Sequence, residues 1–336
     1  MTAHVPNMDQ AEPVLSIRNL SLEFPIWRGA LHALDDVSIT VGAGQIVGVV
    51  GESGCGKSVT AMAAMRLLPD RAFRVTSGAI KVLGQDMLAA SEADLLRLRG
   101  SDVAMIFQEP LTALNPTRRI GDLMVEVIRA HQKITRAEAT AKAIDLLGQM
   151  RIADAKAIMR RYPFELSGGM RQRIVIALAF ANDPRLVIAD EPTTALDVTV
   201  QRQVLTLLQN RARDVGAAVL LITHDLGVVS EYTDSLYVMY AGKVAESGPT
   251  DVVLRSPRHP YTRALLQAGP EAAAPKTPLA AIPGNLPDLR ETIAGCRYAG
   301  RCPSVADRCR TAQPPFRHGP DARQGFACWL EEGATA

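Results

Sequence analysis

The chain has 336 residues, 47% hydrophobic and 21% charged, the balance of a globular protein with room for one large domain or two smaller ones. A formal net charge of +2 leaves no electrostatic footprint for nucleic acid, and no apolar run approaches the roughly 20 residues that a membrane-spanning helix needs. Residues 1–12 are polar, without the apolar stretch of a signal peptide, and read as a flexible tail; the chain is expected to stay in the cytoplasm, with any membrane attachment supplied by a partner.

Leu20, Leu22 and Phe24 alternate with polar residues, as do Val37, Ile39 and Val41. That period marks half-buried strands and predicts an antiparallel β layer at the front of the chain. After the turn Gly42-Ala43-Gly44, residues 45–50 read as a buried strand that feeds Gly51-Glu52-Ser53-Gly54-Cys55-Gly56-Lys57-Ser58, and 58–68 read as the helix that leaves it. This is the G-x-x-x-x-G-K-S pattern, in which backbone N–H groups and a helix N-terminus cradle phosphates. Lys57 can then reach the β- and γ-phosphates, and the Ser58 hydroxyl can face Mg²⁺. Cys55 reads as a space-filling residue of the loop.

Residues 121–159 carry broken helical periodicity and no strand signal, as a helical insertion would. Leu166-Ser167-Gly168-Gly169-Met170 opens a further helix with Ser167 as its N-cap. Two glycines there expose N–H donors, a second anion site; taken alone, the segment reads equally as an ordinary capped helix. The apolar run 186–189 ends in Asp190-Glu191, which places two carboxylates at the C-terminal edge of a sheet, where ligands bind in open α/β folds. Asp190 suits the Mg²⁺ shell and Glu191 a general base acting on water. Helix 200–212 and strands 217–222 and 235–239 continue an alternation that predicts a parallel sheet covered by helices. A Pro- and Ala-rich stretch, 269–287, reads as a linker. Beyond it lie Cys296, Cys302, Cys309 and Cys328, whose clustering in a reducing compartment argues against structural disulfides.

The order of the glycine-lysine loop, Leu166-Ser167-Gly168-Gly169, the Asp190-Glu191 strand and Thr223-His224-Asp225 resembles the ATP-binding-cassette family over residues 14–248. The resemblance implies an α/β fold: a RecA-like P-loop NTPase core with an antiparallel β subdomain and a helical subdomain (about 112–182). The cassette would cover 13–250. A small Cys-containing C-terminal extension, 251–336, would carry the four-Cys segment 296–328. The resemblance also implies a head-to-tail dimer that grips each ATP between 51–58 of one subunit and Ser167, Gly168 and Gly169 of the other. Nucleotide contacts would then fall to Gly51, Ser53, Gly54, Cys55, Gly56, Lys57, Ser58 and Val59. Gln108 would contact Mg²⁺ and water and link to a membrane subunit, and His224 would reach the γ-phosphate. Asp197, in Ala195-Leu196-Asp197, would cross the dimer, serve as a plain helix N-cap, or do both. An aromatic residue should stack on adenine; Phe24 is the choice, with Trp27 competing. Met170 departs from the Gln common in this signature.

Three segments are similar to the di- and oligopeptide importer branch: 109–116, 189–199 and Ser256-Pro257-Arg258-His259-Pro260-Tyr261-Thr262-Arg263-Ala264-Leu265-Leu266. That branch also includes importers of nickel chelates, opines and glycosides. The partners implied are two transmembrane permease subunits, a second ATPase subunit (identical or similar) and an extracytoplasmic substrate-binding protein, with the chain peripheral on the cytoplasmic face of the membrane. The spacing of Cys296, Cys302, Cys309 and Cys328 also resembles the tail of that branch, where a [4Fe–4S] cluster is one reading; zinc, and reduced thiols or an occasional disulfide, are the others. Cassette ATPases that act on DNA or in translation remain rivals. The first usually carry long coiled-coil insertions and the second two fused cassettes, and this chain has neither feature.

Overall fold

The computed structural model describes residues 12–69, 71–194, 196–269, 281–319 and 321–330. The polar tail up to residue 11, Ala195 and most of the expected linker therefore lie outside the described residues.

Alternating side chains build the front layer as the periodicity predicts. Strands β1 (Leu15–Ile26) and β2 (Gly29–Val41) pair antiparallel, with Leu22 opposite Leu34 and Phe24 opposite Leu31. Behind strand β3 (Ile46–Val50) and helix α1 (Lys57–Ala64) come β4 (Arg74–Val82) and β5 (Gln85–Asp86), which complete a four-stranded sheet ordered β2-β1-β4-β5. Helix α1 stops short of the expected residue 68, because Arg66 turns into the left-handed region at φ 51°.

Helix α2 (Glu92–Leu98) leads to β6 (Val103–Ile106). A helical layer follows: α3 (Pro110–Ala113), α4 (Ile120–His131), α5 (Arg136–Gln149), α6 (Ala155–Ile158) and α7 (Gly168–Ala179). Thr135 and Glu138 close a reciprocal capping box that starts α5. The chain then alternates through β7 (Leu186–Asp190), α8 (Val198–Val215), β8 (Ala218–Thr223), α9 (Leu226–Tyr232), β9 (Ser235–Tyr240) and β10 (Lys243–Pro249). Helices α10 (Thr250–Arg255), α11 (Pro260–Ala268) and α12 (Asp307–Thr311) and the short strands β11 (Arg317–His318) and β12 (Gly325–Phe326) end it.

The main sheet runs β11-β12-β10-β9-β3-β8-β7-β6, parallel from β9 to β6 and antiparallel at the other end. Its central strands are buried on both faces, and their side chains divide by parity. Val187, Ala189, Val219 and Leu221 pack on the helical layer, while Ile188, Leu220, Ile222, Val47 and Val49 pack under the antiparallel sheet. Successive side chains of a strand point to opposite faces, so each strand serves both cores.

The C-terminal region packs onto the main sheet. Strands β11 and β12 extend the main sheet, and Tyr298, Tyr261, Ile282 and Leu286 share a third core with Val50, Leu236 and Val238. Burying those apolar side chains together holds the region on the sheet. The described end of the expected linker, 281–287, is held in the same way.

Candidate nucleotide site

Four loops leave the C-terminal ends of parallel strands β3, β6, β7 and β8 and meet around one cavity of about 670 Å³. Its walls are Phe24, Leu31 and Ala33 from the front sheet, Ser53, Gly54, Gly56, Lys57, Ser58 and Val59 from the glycine-lysine loop and α1, then Gln108, Glu191, His224 and Leu289.

The loop between β3 and α1 is shaped by close packing. A Cβ on Gly51 would lie 2.1 Å from the Met239 carbonyl oxygen and 2.7 Å from Cys55 Sγ. Gly56 stands at the N-cap of α1 with φ 106°, a region that L side chains avoid. Lys57 is buried, and its ammonium donates to the carbonyls of Gly51 (2.8 Å) and Glu52 (3.0 Å), inside the curve of the loop. Cys55 is fully buried, and burial pushes its thiol pKa up; it fills space, as expected.

The acid pair divides its work. The Ser58 hydroxyl donates to Asp190 Oδ1 at 3.1 Å. Burial raises the Asp190 pKa, with the Glu191 carboxylate adding to it and the Ser58 hydrogen bond and Lys57 charge opposing it. A hydroxyl and one buried carboxylate are hard oxygen donors of the kind Mg²⁺ takes, with phosphate and water completing its shell. Glu191 adopts a left-handed backbone at φ 46°, with its N–H on the Ile222 carbonyl at 2.9 Å. Such a conformation costs on the order of 1–3 kcal/mol and persists only where its surroundings hold it. Here Gln108 Nε2 (3.0 Å) and the Thr194 hydroxyl (2.9 Å) donate to Glu191 Oε2, and His224 Nδ1 lies 3.5 Å from Oε1. Residues 108, 191 and 224 thus converge on one carboxylate. That carboxylate can accept a proton from water while neighbouring donors keep it oriented.

Other predicted residues stand apart from the cavity. Ser167 caps α7, its hydroxyl accepting from Met170 N, and Gly168 and Gly169 begin the helix. A Cβ on Gly169 would lie 2.8 Å from Val200, so close packing on α8 is one reason for glycine there. None of the three lines the cavity of its own chain. Asp197 caps α8, accepting from Val200 N at 3.0 Å, so its plain reading holds. Phe24 lines the cavity, whereas Trp27 is 88% exposed and does not.

The four C-terminal cysteines are free thiols. Burial pushes Cys296 up to about 11, with Cys309, Cys328 and Cys302 adding to that rise. Among the described residues, however, no group of three or more His, Cys, Asp or Glu side chains is placed to hold a metal ion. The expectation of a cluster there thus rests on the thiol donor set and not on an assembled site.

The sequence reading missed four residues. Thr194 orients Glu191. Tyr261 Oη accepts from Glu52 N at 2.9 Å, Arg301 forks onto the Glu52 carboxylate, and Leu289 lines the cavity. Thr194 was detectable at three residues past Glu191, and Tyr261 lies in the segment singled out for its branch resemblance; Arg301 and Leu289 come from the distant C-terminal region, and no local pattern announces them.

The family model described as ABC transporter matches residues 34–194, and that described as oligopeptide/dipeptide transporter, C-terminal region, matches 245–309. The chain is 57% identical over 321 residues to the probable D,D-dipeptide transport ATP-binding protein of Escherichia coli (strain K12), spanning 96% of this chain and 98% of that one. It is 42% identical over 321 residues to the dipeptide transport ATP-binding protein of Bacillus subtilis (strain 168), 96% of each chain. Among solved structures, the dimeric ATP-binding cassette MJ0796 bound to ADP and Pi superposes with a TM-score of 0.62 at 22% identity, over 70% of this chain and 98% of that one. The ABC transporter component cbiO1 of Clostridium perfringens gives 0.63 at 22%, over 73% and 92%.

Proposed function

This chain belongs to the ABC transporter ATP-binding proteins, and on that premise we propose that it is the ATP-hydrolysing subunit of a membrane importer of dipeptides or oligopeptides. One observation carries the catalytic reading: Gln108, Thr194 and His224 converge on the Glu191 carboxylate beside the Ser58–Asp190 pair.

In this reading the N–H groups of the 51–58 loop and the Lys57 ammonium bind the phosphates of ATP. Phe24 stacks on the base. Ser58 and Asp190 would hold Mg²⁺, with Gln108 lining the same cavity, and the ion would neutralise charge on the phosphates. Glu191 accepts a proton from the attacking water, and Gln108, Thr194 and His224 keep its carboxylate aimed. Ser167, Gly168 and Gly169 of a second ATPase subunit close over the γ-phosphate, which accounts for their distance from the cavity of their own chain, and Asp197 lies at the same junction. Closure of that dimer pushes on two permease subunits through the region of Gln108. The permeases keep the chain peripheral at the cytoplasmic face, and an extracytoplasmic binding protein delivers the peptide. No helix among the described residues is long and apolar enough to cross a membrane.

Glu191→Gln tests the assignment. It keeps the shape and hydrogen bonds of the side chain but not its basicity, so phosphate release should fall about 100- to 10,000-fold while ATP still binds. Release at the parental rate would remove Glu191 as the base. For the C-terminal segment, the donor set of Cys296, Cys302, Cys309 and Cys328 supports a [4Fe–4S] cluster as a structural element outside the ATP cycle. Purification without oxygen decides it: a brown chain with charge-transfer bands carries the cluster, and a featureless visible spectrum with no bound iron rules it out.

A further inference from the structure

Glu52 lies inside the glycine-lysine loop, and each of its polar groups is held. Its carbonyl accepts from Lys57, as such a loop requires. The other two groups are held from far along the chain. Its N–H donates to the hydroxyl of Tyr261, a side chain with no exposure at all. Its carboxylate receives a two-pronged grip from Arg301, Nη1 to Oε2 at 2.6 Å and Nη2 to Oε1 at 3.0 Å. The Arg301 side chain is only 5% exposed, and its remaining donors reach the carbonyls of Pro283 (2.8 Å) and Ile282 (3.1 Å).

This is not an ordinary surface ion pair, which contributes little. It is bidentate, with the Arg301 guanidinium sheltered and Glu52 29% exposed, and losing Glu52 leaves the Arg301 charge uncompensated in a confined place. The same region reaches the cavity itself. Leu289 lines it beside Leu31 and Ala33, and the Leu289 carbonyl accepts from His32 N at 2.9 Å, which fixes it to β2. Leu286 lies 3.7 Å from where a Cβ of Gly54 would stand.

We propose that the C-terminal region braces the nucleotide site of its own chain. Arg301 and Tyr261 are positioning residues that hold Glu52, and through it the direction of the N–H donors from Ser53 to Lys57. Leu289 is a binding residue that supplies an apolar wall at the base end. The proposal rests on reading the cavity as the ATP site. Its physical basis is that an anion cradle works only if its donors converge, and small misplacements are costly. Arg301 also adjoins Cys302, so the fold of the cysteine segment and the shape of the phosphate loop are mechanically joined.

The test uses the full-length chain for binding and the assembled transporter for hydrolysis. Calorimetry with MgATP, and separately with inorganic tripolyphosphate, is run on the parent and on Arg301→Met, Arg301→Lys, Glu52→Gln, the Arg301→Met/Glu52→Gln pair and Leu289→Ala. Arg301→Met should weaken both probes about tenfold and raise the KM for ATP equally, with kcat within about threefold. Arg301→Lys, which keeps the charge but not the fork, should recover part of that loss. Glu52→Gln should resemble Arg301→Met, and the double variant should be little worse than either single one, because both remove one interaction. Leu289→Ala should weaken ATP several-fold and leave tripolyphosphate unchanged. Circular dichroism shows which variants fold; if Arg301→Met does not, Glu52→Gln and Leu289→Ala carry the test. Folded variants with parental Kd and KM overturn the brace, even if their Tm falls. A parent chain that binds neither probe overturns the nucleotide reading of the cavity instead.

Discussion

Acidification should destabilise this chain through His259. The residue is 3% exposed, and its Nδ1 accepts from Tyr261 N at 3.0 Å as the N-cap of α11. Its backbone N–H donates to the buried Glu246 carboxylate at 2.9 Å. Burial first, and the Arg263 charge second, lower its pKa from 6.5 to about 4, against a smaller opposing effect of a hydrogen bond to the Ala327 backbone. The folded chain therefore keeps His259 neutral where the unfolded chain would protonate it. Above pH 6.5 the contribution is complete. It falls as pH drops toward 4, because the unfolded state gains a proton that the native state refuses, and below 4 it changes no further. At about 1.4 kcal/mol per pH unit the full effect is about 3 kcal/mol, and at pH 5 about 2 kcal/mol. Urea unfolding of the parent and of His259→Asn across this range isolates it. Asn can still cap the helix but does not titrate, so the loss of packing is a constant offset. The stability gap between parent and variant should narrow by about 2 kcal/mol from pH 7.5 to 5. A gap that stays constant with pH would refute the reasoning.

Two further outcomes follow from the same geometry. Phe24→Ala should raise the KM for ATP by about tenfold, the worth of one base–aromatic stack, while Trp27→Ala leaves it unchanged; equal effects, or the reverse order, would return the stacking role to Trp27. Gly51→Ala drives a Cβ into the Met239 carbonyl and should cost about 1–3 kcal/mol in urea unfolding and abolish ATP binding. Gly44→Ala, at φ 67° with open space around it, should cost about 1 kcal/mol and leave ATP binding intact.

Much of the site was legible from local spacing. The glycine-lysine loop, the acids that end β7 and the histidine after β8 each sit where a buried strand gives way to a loop, and both the apolar run and the turn are written in consecutive residues. Alternation identified β1 and β2 for the same reason. Phe24 lines the cavity from β1, whereas Trp27 sits in the turn between β1 and β2 and does not. The cysteines invited a metal reading from their spacing and the branch resemblance, but where four thiols point depends on a loop-rich backbone that spacing does not determine.

The sequence by itself thus determined which residues could bind phosphate and activate water, since those capacities depend on side-chain chemistry and on a few neighbouring backbone angles. Only the tertiary structure decided that Gln108, Glu191 and His224 share one carboxylate and that Arg301 grips a residue 249 positions away. Contacts across such separations are set by how sheets and cores close on one another, and no periodicity in the chain encodes them.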